Sequence, residues 1–380
     1  MRVLLINYEY PPVGGGAGNA TACIARALAE LGHSPIVLTA AYGSEPAKIL
    51  VDGVNVVRVR AWRTHPDRSS LLEMAGYVAA AAIALPRVLR TERPDAAIVF
   101  FSMPCGPLGL LARWRAGIPY LVSLRGGDVP GTESRLGLMY SLLAPARRLV
   151  MRKAAAVIAN SSGLKSLSEA ADPIKVEVIP NGVDADFYRP AAERGDRPFT
   201  FLFVGRFQQQ KNLSFLLQAV AASRREPGIP FRLTIVGDGP ARVDLQQQCT
   251  ASGLDDIVTW HGWCSKEQLL LQYQAADCLV NPSLYEGMPN TVLEAMACGL
   301  AVLASNVPGN DAVVLPGETG LLFGLGDVSE FVGAMRSLLA DAALTRNMGD
   351  AARRWVSRDF SWQSVARQYL GVLEETRATQ

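Results

Sequence analysis

The chain has 380 residues, 49% of them hydrophobic and 19% charged, with 37 Lys and Arg against 35 Asp and Glu. At about 150 residues per domain the length predicts two domains, the apolar content excludes global disorder, and a net charge of +2 excludes a dedicated nucleic-acid binder. Three histidines (His33, His65, His261) leave too few for a multi-histidine metal site, and six cysteines without CxxC spacing read as apolar fillers rather than a disulfide framework.

The N-terminus, MRVLLINYEYPP, has an apolar run of about four residues, short of the roughly 7–15 of a signal peptide, so a cytoplasmic protein is expected. The runs VLLIN (3–7), PIVLTA (35–40), AAIVFF (96–101), PYLVSL (119–124) and AAVIAN (155–160) predict buried strands, and apolar spacing over 19–31 predicts a helix. The segment 71–85, LLEMAGYVAAAAIAL, would span about 22 Å, short of a roughly 30 Å hydrocarbon core. It carries Glu73 and meets Pro86, so it reads as a buried crossover helix.

A polar stretch at 191–198, AAERGDRP, reads as a linker. A second set of strands follows: FTFLFVG (199–205), FRLTIVG (231–237), IVTWHG (257–262), DCLVNP (277–282) and LAVLAS (300–305). Helices are expected at 212–223, 291–298 and 361–377. Strands alternating with helices predict an α/β protein of two Rossmann-like, doubly wound domains, 1–185 and 186–360, with a last helix at about 361–380 packing back on the first. Such sheets bind ligands outside the carboxyl ends of their strands, so a central cleft is the expected site.

Three stretches carry candidate chemistry. PPVGGGAGNAT (11–21) places consecutive glycines before a helix, where backbone can approach an anion. It misses the dinucleotide fingerprint, because Asn19 stands where glycine or alanine is required, so a plain turn and a phosphate or sugar contact both stay open. VGRFQQQKNL (204–213) offers Arg206 and Lys211, either solvated loop charges or a cation pair for a diphosphate. NPSLYEGMPNTVLEAMACGLAVLAS (281–305) sets Glu286 before a helix and Glu294 within it. Two such acceptors suit hydroxyl-rich ligands; the alternative is a capping acid and a solvent-facing residue.

The ordered set resembles the retaining glycosyltransferases of family 4 (glycosyltransferase group 1), which have the GT-B fold. It comprises PPVGGGAGNATACIARALAELGH, IPNGVD (179–184), VGRFQQQKNL, VGDGP (236–240), the glutamates of SLYEGMPNTVLEAMACGLAVLAS and FSW (360–362). The resemblance implies that Glu294 binds the ribose hydroxyls of a nucleotide-diphosphate sugar and Glu286 the hydroxyls of the transferred hexosyl unit. Gly287, Met288, Pro289, Asn290 and Thr291 would line the sugar and phosphates, Arg206 and Lys211 would neutralise the leaving diphosphate, and Gly15 and Gly16 would approach the same phosphates. The base would lie near Gly262 and Trp263. In this picture the departing phosphate takes the acceptor's proton, and neither cofactor nor metal is needed; Asp184 and Asp186, the one Asp-x-Asp, sit in the NGVDAD turn.

One departure stands out. Where the family often has histidine in an H-G-x-D pattern, this chain has Arg125-Gly126-Gly127-Asp128, leaving Arg125 catalytic, acceptor-binding or structural, with Asp128 a candidate for holding a hydroxyl. A nucleotide-sugar 2-epimerase and a non-catalytic nucleotide-sugar-binding subunit are the competing readings. Residues 1–180 hold 20 Lys and Arg against 13 Asp and Glu, the rest 17 against 22. The leucine-rich stretch 133–153, with Arg135, Arg147, Arg148, Arg152 and Lys153, reads either as an ordinary amphipathic helix or as a peripheral contact with an anionic membrane. The latter would serve a glycan or lipid-linked acceptor in envelope or exopolysaccharide synthesis at the inner membrane face.

Overall fold

A computed structural model describes residues 1–65, 69–132, 137–192, 197–224 and 229–378; Arg135 lies outside them. The chain divides into two compact units, Met1–Gly182 with Trp362–Gln380, and Val183–Ser361. It therefore crosses between units twice, at 182/183 and 361/362, and the described part of 191–198 falls inside the second unit. There Arg197 pairs with Asp277 at 2.5 Å.

The first unit holds eight strands: β1 (Arg2–Ile6), β2 (Ser34–Ala40), β3 (Lys48–Val51), β4 (Val54–Val59), β5 (Ala96–Phe100), β6 (Tyr120–Leu124), β7 (Ala156–Ala159) and β8 (Glu177–Val178). Their order is β3-β4-β2-β1-β5-β6-β7-β8, parallel throughout except that β3 runs antiparallel to β4. The helices are α1 (Gly16–Glu30), α2 (Leu71–Glu92), α3 (Gly106–Ala116), α4 (Gly137–Lys153) and α5 (Ser162–Ala171). In the second unit the strands are β9 (Phe199–Val204), β10 (Phe231–Val236), β11 (Val258–His261), β12 (Cys278–Asn281), β13 (Ala301–Ser305) and β14 (Gly320–Phe323). They are ordered β11-β10-β9-β12-β13-β14 and all parallel. Its helices are α6 (Leu213–Ser223), α7 (Arg242–Ala251), α8 (Lys266–Gln274), α9 (Asn290–Ala297), α10 (Val328–Ala340) and α11 (Ala342–Asp359), and α12 (Trp362–Ala378) closes the chain.

Renumbered from its first strand, the second sheet reads 3-2-1-4-5-6, the dinucleotide-fold order, and the first sheet contains the same order. Central strands such as β5, β6 and β13 are buried continuously because helices cover both faces of a parallel sheet. The order reverses at β9/β12, which directs the loops after β9 and β12 to the two sides of a crevice.

Segment 71–85 departs from expectation. Pro86 does not end the helix: α2 runs 22 residues, started by a Ser70–Glu73 capping box and stopped at Arg93 in the left-handed region. With a mean hydropathy of 1.4 it is long and apolar enough to cross a membrane by length and composition. It is not buried all round. Tyr77, Ala81, Leu85, Val88 and Leu89 form one packed stripe, with the Tyr77 hydroxyl donating to the Leu38 carbonyl at 2.8 Å, while Leu72 and Ile83 are exposed.

The last helix belongs to the first unit. In α12 the Tyr369 hydroxyl lies 2.8 Å from Ser123 Oγ on β6, and Gln363 donates to Glu30 of α1 at 2.6 Å. A Cβ at Gly182 would stand 2.6 Å from the Trp362 ring, so glycine lets the two crossings lie side by side.

Candidate active site

In the second unit, the loops after β9, β10 and β11 surround a pocket of about 390 Å³. Val204 ends β9 and Gly205 and Arg206 follow it, Val236 ends β10 and Gly237 and Asp238 follow it, Trp263 and Cys264 come from the third loop, and Leu269 from α8. Gly237 makes this possible: at φ +133, a Cβ there would lie 2.0 Å from the Gly205 carbonyl oxygen. Of the expected base neighbours, Trp263 lines the pocket and is largely exposed, and Gly262 supports it by accepting from Gly237 N–H at 3.2 Å. Arg206 is exposed at the rim.

Next to this pocket in sequence, the 206–212 turn is tied to the loop after β12. Leu284 N–H donates to the Gln210 carbonyl at 2.8 Å, and Gln210 Nε2 to the Tyr285 carbonyl at 2.9 Å. These bonds bring Lys211 to Glu286, with Nζ 2.6 Å from Oε1. Ser283 Oγ donates to the same oxygen at 2.7 Å, and Asn281 Nδ2 approaches it at 3.4 Å.

Helix α9 begins where this loop ends. Pro289 occupies the cap position without a side-chain cap bond; the Asn290 N–H donates to the Met288 carbonyl and the Val292 N–H to the Pro289 carbonyl, both at 3.0 Å. Gly287 and Asn290 are exposed, Met288 and Thr291 half-buried and Pro289 buried, giving an N-terminus where an anion gains from the macrodipole. Glu294, one turn in, accepts a hydrogen bond from Tyr273 of α8 at 2.8 Å and another from the Tyr188 hydroxyl. Burial pushes its carboxyl up to about 7, against the pull of the two hydroxyls and of Lys266. Lys266 itself lies 4.1 Å above the Phe187 ring.

The first unit holds the other predicted residues. Gly15 caps α1, and its N–H donates to Glu9 Oε2 at 3.3 Å, so a carboxylate of the chain itself stands at this helix start; beside Gly15 and Gly16 a Cβ would meet open space. Asp128 is buried, its two oxygens taking the N–H groups of Ser102 (2.6 Å) and Arg125 (3.0 Å). Burial raises its carboxyl while those N–H groups hold it down. Arg125 donates to Asn181 Oδ1 at 2.7 Å and to the Tyr369 hydroxyl at 3.4 Å, and stands 4.9 Å over the Phe100 ring. Both side chains tie loops together: Asp128 joins the ends of β5 and β6, and Arg125 joins β6 to α12 and to the chain just before its crossing.

The basic stretch is less basic than its composition suggests. Arg147 and Arg148 of α4 both bind the buried Asp172 carboxylate, at 2.7 and 2.5 Å. Leu138, Leu142, Pro145, Leu149 and Arg152 follow one helical face, and the three leucines are exposed.

Sequence reasoning missed Tyr188, Tyr273, Asn281, Ser283 and Asn310. Only Asn281 and Ser283 carried a local signal, lying within the stretch singled out for its glutamates.

Two Rossmann-like units, with a cation, two carboxylates and a helix N-terminus at strand ends in the second, define a class of group-transfer enzyme. Residues 15–182 match the glycosyl transferase 4-like domain, and residues 184–355 match the glycosyl transferases group 1 family. A D-inositol 3-phosphate glycosyltransferase of Rhodococcus erythropolis is 31% identical over 99% of this chain and 91% of its own. An Escherichia coli UDP-Gal:alpha-D-GlcNAc-diphosphoundecaprenol alpha-1,3-galactosyltransferase is 30% identical over 69% of this chain and 70% of its own. The solved sucrose-phosphate synthase of Thermosynechococcus elongatus superposes with a TM-score of 0.78 at 25% identity, covering both chains fully. The chain belongs to the group 1 glycosyltransferases of GT-B fold.

Proposed function

We propose that the protein moves a hexosyl unit, with retention of anomeric configuration, from a nucleoside-diphosphate hexose to a glycan, lipid-linked or small-molecule acceptor. One observation carries this reading: around the N-terminus of α9, Lys211 meets Glu286 at 2.6 Å while Glu294 sits one turn into the helix. In this reading the pocket at β9–β11 takes the base, Glu294 the ribose hydroxyls and Glu286 the hexose hydroxyls. Arg206, Lys211 and the main-chain N–H groups of Gly287, Met288 and Thr291 take the diphosphate.

Breaking the anomeric carbon–oxygen bond leaves both electrons on the phosphate oxygen. Fixed cations and N–H dipoles aimed there stabilise that charge as it develops. The acceptor hydroxyl attacks from the face the phosphate leaves, and its proton passes to the departing phosphate. No step requires a metal, a cofactor or a histidine base.

In the first unit, the apolar face of α4 with Arg152 and Lys153 at its end suits a lipid-linked acceptor at an anionic membrane surface, on the cytoplasmic side where nucleotide sugars are made. The galactosyltransferase relative, whose name includes a diphosphoundecaprenol acceptor, supports a substrate of that kind.

The test incubates wild-type protein and Glu286→Ala with UDP-, GDP- and ADP-hexoses labelled in the sugar, with and without bacterial membranes. Acceptor-dependent label transfer by the wild type alone, giving the donor's anomeric configuration, is expected. Epimerised donor formed without acceptor would assign the protein to the epimerases, and no transfer from any donor would assign it to non-catalytic subunits.

A further inference from the structure

Glu286 receives its hydrogen bonds unevenly. Lys211 Nζ, Ser283 Oγ and Asn281 Nδ2 all point at Oε1, at 2.6, 2.7 and 3.4 Å. Among the described residues none donates to Oε2. A carboxylate oxygen has about two lone pairs, so Oε1 is saturated from within the protein and Oε2 is left to accept from outside it.

The loop after β13 fixes this asymmetry. Asn310, which is fully buried, donates through Nδ2 to the Ser305 carbonyl at 3.0 Å and lies 3.3 Å from Ser305 Oγ. A carbonyl can only accept, so the amide nitrogen of Asn310 must face it and its Oδ1 must face the other way. On that side stands Asn281 Nδ2 at 3.3 Å. The orientation of Asn310 thus sets that of Asn281: its nitrogen turns toward both Asn310 and Glu286, and its Oδ1 takes the Ser283 N–H at 3.4 Å and shares with Glu286 Oε1 the single hydrogen of Ser283 Oγ, 2.6 Å away. Ser305 Oγ, also fully buried, closes the network by donating to the Ser283 carbonyl at 2.6 Å.

The backbone adds a second link. Gly309 has φ +97, and a Cβ there would stand 2.7 Å from the Glu286 carbonyl oxygen, so the loop presses directly on the main chain of Glu286. A buried polar network of this size is stable only when every member is satisfied, and apolar packing would fill the same space with less to satisfy.

We propose that Asn310 is a positioning residue for the transfer reaction. Acting through Asn281 and with Ser305, it holds the Glu286 carboxylate with Oε1 tied down and Oε2 presented to a hydroxyl of the hexose. The proposal rests on the reading of Glu286 as the hexose ligand, and the experiment separates the two.

Affinities of wild type, Glu286→Gln, Asn310→Leu and Ser305→Ala are measured by calorimetry for UDP against UDP-glucose, with GDP and GDP-mannose, and ADP and ADP-glucose, in parallel. The readout is the gain in affinity that the hexose adds to the preferred diphosphate. Glu286→Gln abolishes the gain. Asn310→Leu, which approximates the volume without the amide, lowers it about tenfold and lowers kcat by a similar factor, while diphosphate affinity stays within twofold of wild type. A merely structural role for Asn310 would weaken diphosphate and diphosphate-hexose equally. Loss of the gain in Glu286→Gln with full retention in Asn310→Leu would overturn the proposal and leave the reading of Glu286 standing. No gain in the wild type, or a gain unchanged in Glu286→Gln, would overturn both. If Asn310→Leu does not fold, Ser305→Ala decides: a loss of about threefold supports the network, and an unchanged gain contradicts it.

Discussion

Lys211 and Glu286 stand 75 positions apart in the chain and meet at 2.6 Å, with side chains 17% and 6% exposed. The loop bonds between Gln210, Leu284 and Tyr285 set that distance before any ligand arrives. A preset pair has two consequences. The cation is held in place beside a helix N-terminus, where a diphosphate is favoured, and neither partner is removed without affecting the other.

Substitutions at the pair should therefore separate stability from catalysis. Lys211→Met leaves a mostly buried carboxylate without its cation, and removing one partner of such a pair costs about 2–3 kcal/mol at this exposure. The midpoint of thermal unfolding should fall by about 5 °C or more. Glu286→Gln keeps the shape and a hydrogen-bond acceptor but leaves the Lys211 ammonium, 17% exposed, without its counter-charge, so the midpoint should fall by a few degrees, less than in Lys211→Met, while kcat falls about 100-fold. Calorimetric unfolding with parallel transfer assays reads both.

Glu294 makes binding and stability depend on pH in opposite senses. Its carboxyl, raised by burial to about 7, holds a proton in the folded protein at pH values where the unfolded chain has released it. The stability gained from that proton is complete below about 4.5 and is lost as pH rises through about 7. Ribose hydroxyls donate, so the ionised form binds them better and nucleotide affinity should rise through the same range. Glu294→Gln should flatten both profiles and weaken nucleoside diphosphate binding about tenfold or more at pH 8. Titration of UDP, GDP and ADP between pH 5.5 and 8.5 checks this.

Arg125 stands where the resemblance led one to expect histidine, and its contacts favour a structural role. It joins Asn181, Tyr369 and the Phe100 ring, all within the first unit. Arg125→Met should cost about 2–3 kcal/mol of stability, because buried acceptors lose a charged donor. Nucleotide affinity, which belongs to the second unit, should not change. Loss of transfer activity without loss of stability would instead assign Arg125 to the chemistry.

The exposed face of α4 predicts surface binding. Leu142→Glu should reduce sedimentation with anionic vesicles severalfold and leave folding intact, since the Leu142 side chain is 73% exposed. Binding equal on neutral and anionic vesicles would remove the membrane from the account.

How far these features were legible depends on the reach of the interactions that set them. The parallel strands announced themselves as uninterrupted apolar runs, and the site glutamates by their place at a strand end and in the helix that follows. The β3–β4 hairpin was missed although Asp52-Gly53, both at positive φ, is a direct turn signal; Lys48–Val51 is largely exposed and lacked the apolar run used to find the other strands. The segment read as a helix over 71–85, next to Pro86, continues past that proline to Glu92, because the packed stripe through Val88 and Leu89 outweighs one lost backbone bond. The partners of Glu294 and Glu286 were beyond local reading. Tyr188, Tyr273 and Asn310 come from other elements of the second unit, and no spacing within one segment encodes such a contact.

The central claim is that the second unit binds a nucleoside diphosphate through Lys211 and Glu294. Its most direct test is titration calorimetry of UDP, GDP and ADP into wild type, Lys211→Met and Glu294→Gln at pH 8. The account predicts that the wild type binds at least one diphosphate and that each variant binds it about tenfold more weakly or worse. Wild-type protein that binds none of the three, or variants that bind as tightly as wild type, would contradict it.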